Sequence, residues 1–321
     1  MNAYVPFICL AAGAVINWRG LPPRILRLFD VATDLALIVL MLVIGLNIGT
    51  SEKVMSNLGV IGFNCLVISL SAIAVSVLLV LLAEKTIMPL EEIRLKLAEE
   101  KGDDQSEPPS TGFSPLIVIM PLCIAAGIIL GYLVFSDIPP SLLDTVLTVS
   151  LVFLYTGVGV SIGSNKEVFS YIRKLGLRII FMPAAIFTGC IAGGFLSGLI
   201  LSVPAEWSVL SAGGMGYYSL TGAFLTENFG IEAGTYGFIV NVSRDVFTVI
   251  LLPLLSKISK GSPIASGAAG CMDTMLVPVT KTVGPELGMV ALISGSILTF
   301  VVPVWLSAGM ALSLIHISEP T

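Results

Sequence analysis

Residues 9–13 read CLAAG, and residues 123–127, which lie 114 positions later, read CIAAG. The match extends without a gap over residues 8–62 and 122–176, where about a quarter of the aligned positions are identical. An internal repeat in an apolar chain is typical of secondary transporters, whose substrate site lies near the bilayer midplane where the repeats meet. The repeat therefore predicts a membrane transporter.

The composition of the 321-residue chain points to the same environment. Hydrophobic residues make up 55% of the chain and charged residues only 12%, which is too little charge to cover the surface of a water-soluble protein. We predict an all-α polytopic membrane protein. The net charge of -5 is small and gives no indication of nucleic acid. We expect the lipid bilayer as a partner and no nucleic acid.

Motifs of soluble enzymes are absent from the sequence. There is no phosphate loop and no HExxH, and the single histidine, His316, lies in a stretch (312–321) that resembles a translated sequencing adaptor. The five cysteines stand apart, without CxxC or metal-ligand spacing, as is typical of small packing residues. We therefore expect no enzyme, no cofactor and no metal site.

Eight apolar runs are long enough to cross about 30 Å of hydrocarbon, although the first is short. They lie at residues 3–17, 31–49, 58–83, 115–135, 142–163, 175–201, 232–256 and 286–310. Lysine and arginine follow the first, third and fifth runs, and loops rich in these residues stay cytoplasmic. We therefore predict about eight transmembrane helices, with the N-terminus outside and the C-terminus outside.

Two further apolar stretches, 207–228 and 262–283, do not fit as simple spans. Both are rich in glycine, which costs about 1 kcal/mol relative to alanine in a helix interior. If 207–228 crossed the membrane, Lys257 and Lys260 would face outside, against the positive-inside rule. We predict that both stretches are re-entrant or broken and line an aqueous pathway. The alternative is a glycine-rich helix packed closely on its neighbours.

Three spans separate the starts of the two repeat copies, so the copies face opposite sides of the membrane and the repeat is inverted. This predicts five parts of the chain. They are the first membrane repeat of three spans (1–83), an acidic cytoplasmic linker (84–113), a second, inverted repeat of three spans (114–201), a C-terminal membrane region with two re-entrant segments and two spans (202–311), and the adaptor-like tail (312–321).

The sharpest polar site is Arg244-Asp245, in the middle of an apolar span. An ionisable side chain within a span costs a few kcal/mol and is a functional candidate by default. Adjacent helix residues point about 100° apart, so Arg244 and Asp245 must find partners elsewhere. Asn241 lies one turn from both. These three residues are candidates for transport and proton coupling, and a structural ion pair between helices is the alternative.

Asp30 and Asp34 stand four residues apart near the start of the second span, on one helical face. Helix capping at the membrane edge is the alternative to a functional role, and for Asp34 we favour capping. Asp30 has a counterpart in Asp144 of the second copy. Asp273 and Thr274 belong to the second re-entrant stretch. Candidate acids outnumber bases in the membrane, which favours a cation or a proton as ligand.

Three stretches together resemble the bacterial lysine exporter (LysO) family. They are SAGGMGYYSLTGAFLTENFG (211–230), NVSRD (241–245) and GAAGCMDTMLVPVTKTVG (267–284). The resemblance implies export of L-lysine and of toxic lysine analogues across the bacterial cytoplasmic (inner) membrane. It also implies two required intramembrane acids, which fall on Asp30 and Asp245. Members commonly carry Arg-Glu where this chain has Arg-Asp, so the carboxylate is withdrawn by one methylene.

Proton-coupled antiport is consistent with the resemblance and with the intramembrane acids. Asp30 and Asp245 would alternately hold a proton and the lysine ε-ammonium, while the broken segments would hold the α-carboxylate and α-ammonium. The candidate substrate-binding residues are Gly213, Gly214, Gly216, Tyr217, Ser219, Asp273 and Thr274.

Two alternatives stay open beside a lysine exporter. One is a sodium- or proton-coupled carrier of another small ion or metabolite, and the other is a non-transporting membrane assembly or sensor protein. The expected partners are L-lysine and protons, with Na+ as the other coupling ion. The sequence leaves the oligomeric state open, a homo-oligomer included.

Overall fold

The structure, a computed structural model, describes residues 4–17, 21–91, 116–134, 139–164 and 177–317. These residues form helices and the turns between them, without a strand. Five of the described helical stretches are long and apolar enough to cross a membrane, namely Arg24–Thr50, Val54–Thr86, Arg178–Leu201, Ile231–Ile258 and Glu286–Met310. The prediction of an all-α membrane protein is confirmed at this level.

The first six helices fall into two sets of three. The first set is α1 (Tyr4–Ile16), α2 (Pro23–Thr50) and α3 (Glu52–Thr86), and the second is α4 (Leu116–Leu133), α5 (Pro140–Ser164) and α6 (Phe181–Leu201), which follows a 3-10 turn at Leu177–Ile180. When 114 is added to the residue numbers of the first set, its helices overlap those of the second set in the same order. The predicted spans 3–17, 115–135 and 142–163 coincide with α1, α4 and α5.

Local sequence explains where α2 and α3 begin. Pro22 and Pro23 open α2, because proline lacks the N–H that would be unpaired in a first turn. Ser51 ends α2 and caps α3, since its Oγ accepts a hydrogen bond from the N–H of Val54 at 3.4 Å. Helix α2 thus starts eight residues before the predicted span at 31–49.

The two sets pack crosswise through glycines. Helix α1 contacts α5, and α2 contacts α4, which is the same contact with the two copies exchanged. A Cβ on Gly13 would lie 2.9 Å from the Cα of Gly159, and a Cβ on Gly127 would lie 2.9 Å from the Cα of Gly45. Gly127 is 114 positions after Gly13, as Gly159 is after Gly45. Small residues that let helix backbones approach closely therefore occupy matching positions in both contacts.

Helices α3 and α6 cross at residues with the same offset. Ser76 Oγ lies 3.2 Å from Cys190 Sγ, 114 positions later. It also lies 2.7 Å from the carbonyl of Ala72 and 3.2 Å from that of Ile186, which are again 114 positions apart. If a two-fold axis relates the two sets of helices, a residue that lies close to this axis contacts its own counterpart. The crossing of α3 and α6 is therefore the place where such an axis would pass.

The rest of the chain builds two broken segments and two long helices. The first broken segment is α7 (Ala205–Ala212) and α8 (Tyr218–Phe229), and the long helix α9 (Ile231–Ile258) follows it. The second is α10 (Ser262–Gly267), a 3-10 turn at Ala268–Met272 and α11 (Leu276–Val283), followed by α12 (Pro285–Ile317). Gly230 and Gly284, with φ of 88° and 94°, make the turns into the long helices.

The first broken segment, residues 205–229, covers the predicted stretch 207–228, and the second, residues 262–283, coincides with the other predicted stretch. Of the predicted acidic linker (84–113), residues 92–113 lie outside the described part of the chain. The adaptor-like tail (312–321) is described as far as Ile317, as the end of α12.

Candidate functional site

The two broken segments meet at their breaks. Met215 and Gly216 in the first break have φ of 52° and 99°, and Ala268 in the second has φ of 46°. Such positive values interrupt a right-handed helix. The N–H of Ala269 donates to the carbonyl of Met215 over 3.0 Å. The interrupted backbone of both segments is therefore brought to one place.

Asn241 of α9 holds the first break. Its Oδ1 accepts a hydrogen bond from the N–H of Gly216 at 2.7 Å. Its Nδ2 donates to the carbonyls of Ser211 at 2.9 Å and Gly237 at 2.7 Å. The amide is buried, and these bonds supply groups that the break leaves without helical partners. Asn241 thus fixes the conformation of the first break.

Arg244, one turn further along α9, holds the second break. Its Nε donates to the carbonyl of Ser266 at 2.9 Å and its Nη2 to that of Ala265 at 2.8 Å. Its Nη1 donates to Cys190 Sγ at 3.1 Å. A cation at the carbonyl end of a helix is favourable, and here it closes α10. Arg244 is only 2% exposed, so its charge is committed to the protein backbone.

Asp245 lies between the two breaks. Its Oδ2 accepts a hydrogen bond from Thr274 Oγ1 at 3.1 Å. Its Oδ1 is buried and has no hydrogen-bond partner among the described residues. A Cβ placed on Gly216 or on Gly270 would lie 3.3 Å from this oxygen. The absence of side chains at these two glycines leaves space directly beside the carboxylate.

A cavity of about 350 Å³ opens at the same place. Its lining residues are Thr33, Asp34 and Leu37 of α2, Gly157 of α5, residues 216–219 of the first broken segment, Ala269, Gly270 and 272–274 of the second, and Thr299 and Phe300 of α12. The volume is at the lower end of the range for small-molecule sites. It suits a single metabolite rather than a peptide.

The charges that the described residues contribute to the cavity wall have one sign. Asp34 and Asp273 have exposed side chains and both line the cavity, and the described lining residues include no lysine, arginine or histidine. Asp245 stands behind Gly216 and Gly270, which belong to the wall. Such a wall attracts cations.

Comparison with known proteins identifies the family. The sequence profile of the lysine exporter LysO family matches residues 7–96 and 121–310. The chain belongs to this family. The family resemblance predicted from the broken segments and the Arg-Asp pair is therefore confirmed.

Two relatives illustrate the extent of the similarity within the LysO family. The lysine exporter LysO of Escherichia coli K12 is 28% identical over 155 residues, which are 48% of this chain and 52% of that protein. A putative lysine exporter of Haemophilus influenzae is 29% identical over 189 residues, 57% of this chain and 92% of that protein. The chain thus spans about half the length of the E. coli relative. No solved structure matches the chain.

The structure separates the predicted site residues into groups. Those that line the cavity are Gly216, Tyr217, Ser219, Asp273 and Thr274. Asn241 and Arg244 hold the breaks from behind, and Asp245 lies next to the wall. Gly213 and Gly214 are buried, and a Cβ on Gly213 would overlap the indole of Trp305. Residue 30 lies on α2, but the side chain of Asp30 is outside the described part of the structure.

Asp34 is the cavity residue that sequence reasoning set aside. The capping interpretation is wrong, because α2 begins at Pro23 and Asp34 is therefore three turns inside the helix. Its spacing from Asp30 predicted a shared helical face. The signal that could have corrected the interpretation is Pro22-Pro23, which marks an early helix start.

Proposed function

We propose that this chain exports L-lysine and lysine analogues across the bacterial inner membrane in exchange for protons. The observation that carries the proposal is the composition of the cavity wall, to which the described residues contribute the carboxyl groups of Asp34 and Asp273 and no lysine, arginine or histidine. Such a wall favours a cationic metabolite. Family membership supports lysine in particular, because the two relatives are named as a lysine exporter and a putative lysine exporter.

The amino-acid end of the substrate fits the broken segments. At the start of α8, the N–H of Tyr218 donates to the carbonyl of Gly216, and the N–H of Thr221 donates to the carbonyl of Tyr217. The N–H groups of Ser219 and Leu220 lie between these two, in the first turn of the helix. First-turn N–H groups have no acceptor within their own helix, and they lie at the positive end of the helix dipole. We assign the substrate α-carboxylate to this end of α8 and the α-ammonium to Asp273. Arg244 takes no part in holding the carboxylate.

We assign the exchanged proton to Asp245, with Asp30 as the second acid that the family resemblance implies. Asp245 Oδ1 is buried without a hydrogen-bond partner among the described residues, and a lone buried carboxylate is costly. A proton or a substrate ammonium nearby removes that cost. Because only glycines separate this oxygen from the cavity, an incoming ammonium and a proton would exclude each other.

The membrane arrangement is also part of the proposal. We propose eight spans, both termini outside and two inverted copies of three helices each, with the broken segments entering from opposite faces. The crosswise contacts of α1 with α5 and of α2 with α4 support a two-fold relation between the copies. A pair of copies around a cavity is the arrangement on which alternating access depends.

Reconstituted flux tests the proposal. The purified chain is placed in liposomes, and uptake of radiolabelled lysine is measured with an inside-acid pH gradient, with a sodium gradient and with neither. We expect the inside-acid gradient to drive uptake, because protons leaving would exchange for lysine entering. Asp245→Asn and Asp30→Asn should reduce this uptake to the level of empty liposomes, whereas Glu52→Gln, at an exposed position on α3, should leave it unchanged.

Other outcomes would contradict the proposal in recognisable ways. Uptake that follows the sodium gradient alone would replace protons by Na+ as the coupling ion. Flux of another small ion or metabolite, with none of lysine, would establish the alternative carrier. Absence of flux for all solutes, with correctly folded protein, would favour a non-transporting role.

A further inference from the structure

We infer that this structure shows one of two end states of the transport cycle, and that an ion pair between Asp34 and Lys281 stabilises the other. The inference rests on the proposed function, because a transporter must open its cavity to each side of the membrane in turn. When two copies related by a two-fold axis exchange roles, an opening on one side becomes an opening on the other. A contact in one end state then predicts a contact between the counterpart residues in the other.

The two broken segments, each with the long helix that follows it, repeat one another at an offset of 54 residues. Helices α8 and α11 end 54 positions apart, and α9 and α12 begin 54 positions apart. Four glycines and one threonine recur at this offset. The pairs are Gly213 with Gly267, Gly216 with Gly270, Thr226 with Thr280, Gly230 with Gly284 and Gly234 with Gly288. The C-terminal region thus repeats internally, as the first six helices do at an offset of 114.

The turns into the long helices have the same structure in both copies. Gly230 has φ of 88° and ψ of 172°, and Gly284 has φ of 94° and ψ of 160°, a conformation that is essentially restricted to glycine. The N–H of Gly230 donates to the carbonyl of Thr226 at 3.0 Å, and the N–H of Gly284 donates to that of Thr280 at 2.9 Å. Residues 54 positions apart are therefore structural counterparts.

Counterparts of this repeat meet at the breaks. The N–H of Ala269 donates to the carbonyl of Met215, 54 positions earlier, over 3.0 Å. Such a contact marks a two-fold axis, as the crossing of α3 and α6 does for the first repeat. Arg244 of α9 joins the two places, because its Nη1 donates to Cys190 Sγ at that crossing over 3.1 Å. A single axis can therefore exchange α2 with α5 and, at the same time, α8 with α11.

The contacts around this axis are asymmetric. Helix α8 packs against both α2 and α5, which meet where a Cβ on Gly157 would overlap the hydroxyl of Thr33. Its counterpart α11 makes no comparable contact with either helix within the described part of the chain. The first broken segment thus rests on α2 and α5, whereas the second is separated from them. Exchange of the copies would bring α11 onto these helices and release α8.

A hydrogen bond holds α8 against α5, and its counterpart is an acid and a base. Thr148 Oγ1 of α5 donates to Glu227 Oε2 of α8 at 2.9 Å. At an offset of 114 the counterpart of Thr148 is Asp34 of α2, and at an offset of 54 the counterpart of Glu227 is Lys281 of α11. Both counterparts have exposed side chains. An ion pair between them would hold α11 on α2 in the second end state.

Cross-linking of cysteine pairs tests the inference. In a background without the native cysteines, one variant carries Asp34→Cys with Lys281→Cys, a second carries Thr148→Cys with Glu227→Cys, and a third carries all four. Membranes are treated with a short bifunctional thiol reagent, and cross-linked peptides are identified by mass spectrometry. We expect both pairs to be cross-linked, and each cross-link to exclude the other in the third variant. Asp34→Cys with Glu52→Cys, about 25 Å apart along α2, is the control that should not be cross-linked.

The outcomes separate the inference from the proposed function. Cross-linking of residues 148 and 227 without cross-linking of residues 34 and 281 would overturn the inference, as would molecules that carry both cross-links. If the two cross-links exclude each other in a chain that carries no lysine, the proposed function fails while the two end states stand.

Substitution of Lys281 gives a second test, without cysteines. Lys281→Gln should lower the maximal rate of lysine uptake by roughly threefold, the effect of one partly exposed ion pair. Lysine-induced thermal stabilisation should stay native, because Lys281 does not line the cavity. Lys281→Arg should keep most of the rate, and Lys257→Gln, at an exposed lysine of α9, should keep all of it. A native rate in Lys281→Gln, or an equal loss in Lys281→Arg, would contradict the ion pair.

Discussion

Gly45 and Gly127 of the first six helices lie against the backbone of a neighbouring helix, whereas Gly216 and Gly270 of the breaks lie beside the Asp245 carboxylate and a cavity. Gly45 and Gly127 let α2 and α4 approach so closely that a Cβ on either glycine would lie 2.9 Å from the Cα of the other. Gly216 instead supplies a φ of 99° and leaves room next to Asp245. A high glycine content is therefore ambiguous on its own, and the polar residues nearby indicate which role a glycine has.

The two regions also differ in which groups form hydrogen bonds with the backbone N–H and C=O groups. The repeat helices pair their N–H and C=O groups internally, as helices do, and need only close packing. The breaks need side chains, and α9 supplies them through Asn241 and Arg244. Substitutions in the repeat should thus alter stability, while substitutions in the breaks should alter transport as well.

Arg244→Ala should have the largest effect. It leaves the carbonyls of Ala265 and Ser266 without their donors, and loss of hydrogen bonds to a charged group costs about 3 kcal/mol or more in total. We expect a lower Tm in thermal unfolding of the solubilised protein and no lysine uptake. Arg178→Ala, at an exposed arginine before α6, is the matched control. Equal Tm values for both variants would contradict the role given to Arg244.

Gly45→Ala and Gly159→Ala should destabilise the repeat to similar degrees. The two glycines lie 114 positions apart and are counterparts in the proposed repeat. A Cβ on Gly45 would overlap the carbonyl of Ile124, an overpacking that costs about 1–3 kcal/mol. Thermal unfolding measures the loss. Gly59→Ala, with open space around its Cα, should cost nothing. A lower Tm for only one of the two variants would contradict the proposed equivalence of the two copies.

Gly216→Ala should reduce transport more than stability. The positive φ strains alanine by about 1–2 kcal/mol, and the new Cβ would lie 3.3 Å from Asp245 Oδ1. We expect roughly a tenfold lower rate of lysine uptake, with Gly59→Ala again as the control. Native uptake in this variant would argue against the space beside Asp245 as part of the pathway.

Thr274→Val should have the smallest effect. It removes the hydroxyl that donates to Asp245 Oδ2, a neutral donor worth about 1 kcal/mol, while keeping the shape of the side chain. Lysine uptake should fall by a few fold. Thr86→Val is the control, because Thr86 is exposed and its hydroxyl donates to the carbonyl of Leu82 in its own helix. Similar rates of lysine uptake in both variants would contradict a role for Thr274 in the site.

Sequence predicted the parts of the molecule that depend on local patterns. Apolar length predicted the long helices, and glycine content predicted the two segments that are broken. The polar stripe on α9 was visible because charges are costly in a membrane. The partners of that stripe were not, since Asn241 reaches Gly216 25 positions away and Arg244 reaches Cys190 54 positions away. Such contacts follow from tertiary packing.

Asp34 illustrates why the site could be predicted only in part. Hydropathy locates the point where charged residues stop, and Arg24 and Arg27 moved the expected start of the second span to residue 31. The helix itself begins at Pro23, because helix formation depends on backbone hydrogen bonding rather than on hydropathy. The acid at residue 34 was therefore expected at the start of the helix, whereas it lies in the helix interior. Its place on the cavity wall depends on the crossing with α5.

Site-directed thiol labelling asks whether lysine occupies the cavity between the broken segments. In a background without the native cysteines, Thr299→Cys puts a thiol on the cavity wall, and Val304→Cys puts one on an exposed part of the same helix, α12. The rate of labelling by a small thiol reagent is measured with and without lysine. We predict that lysine slows labelling at residue 299 and leaves labelling at residue 304 unchanged. Unchanged labelling at residue 299, in a protein that transports lysine, would contradict it.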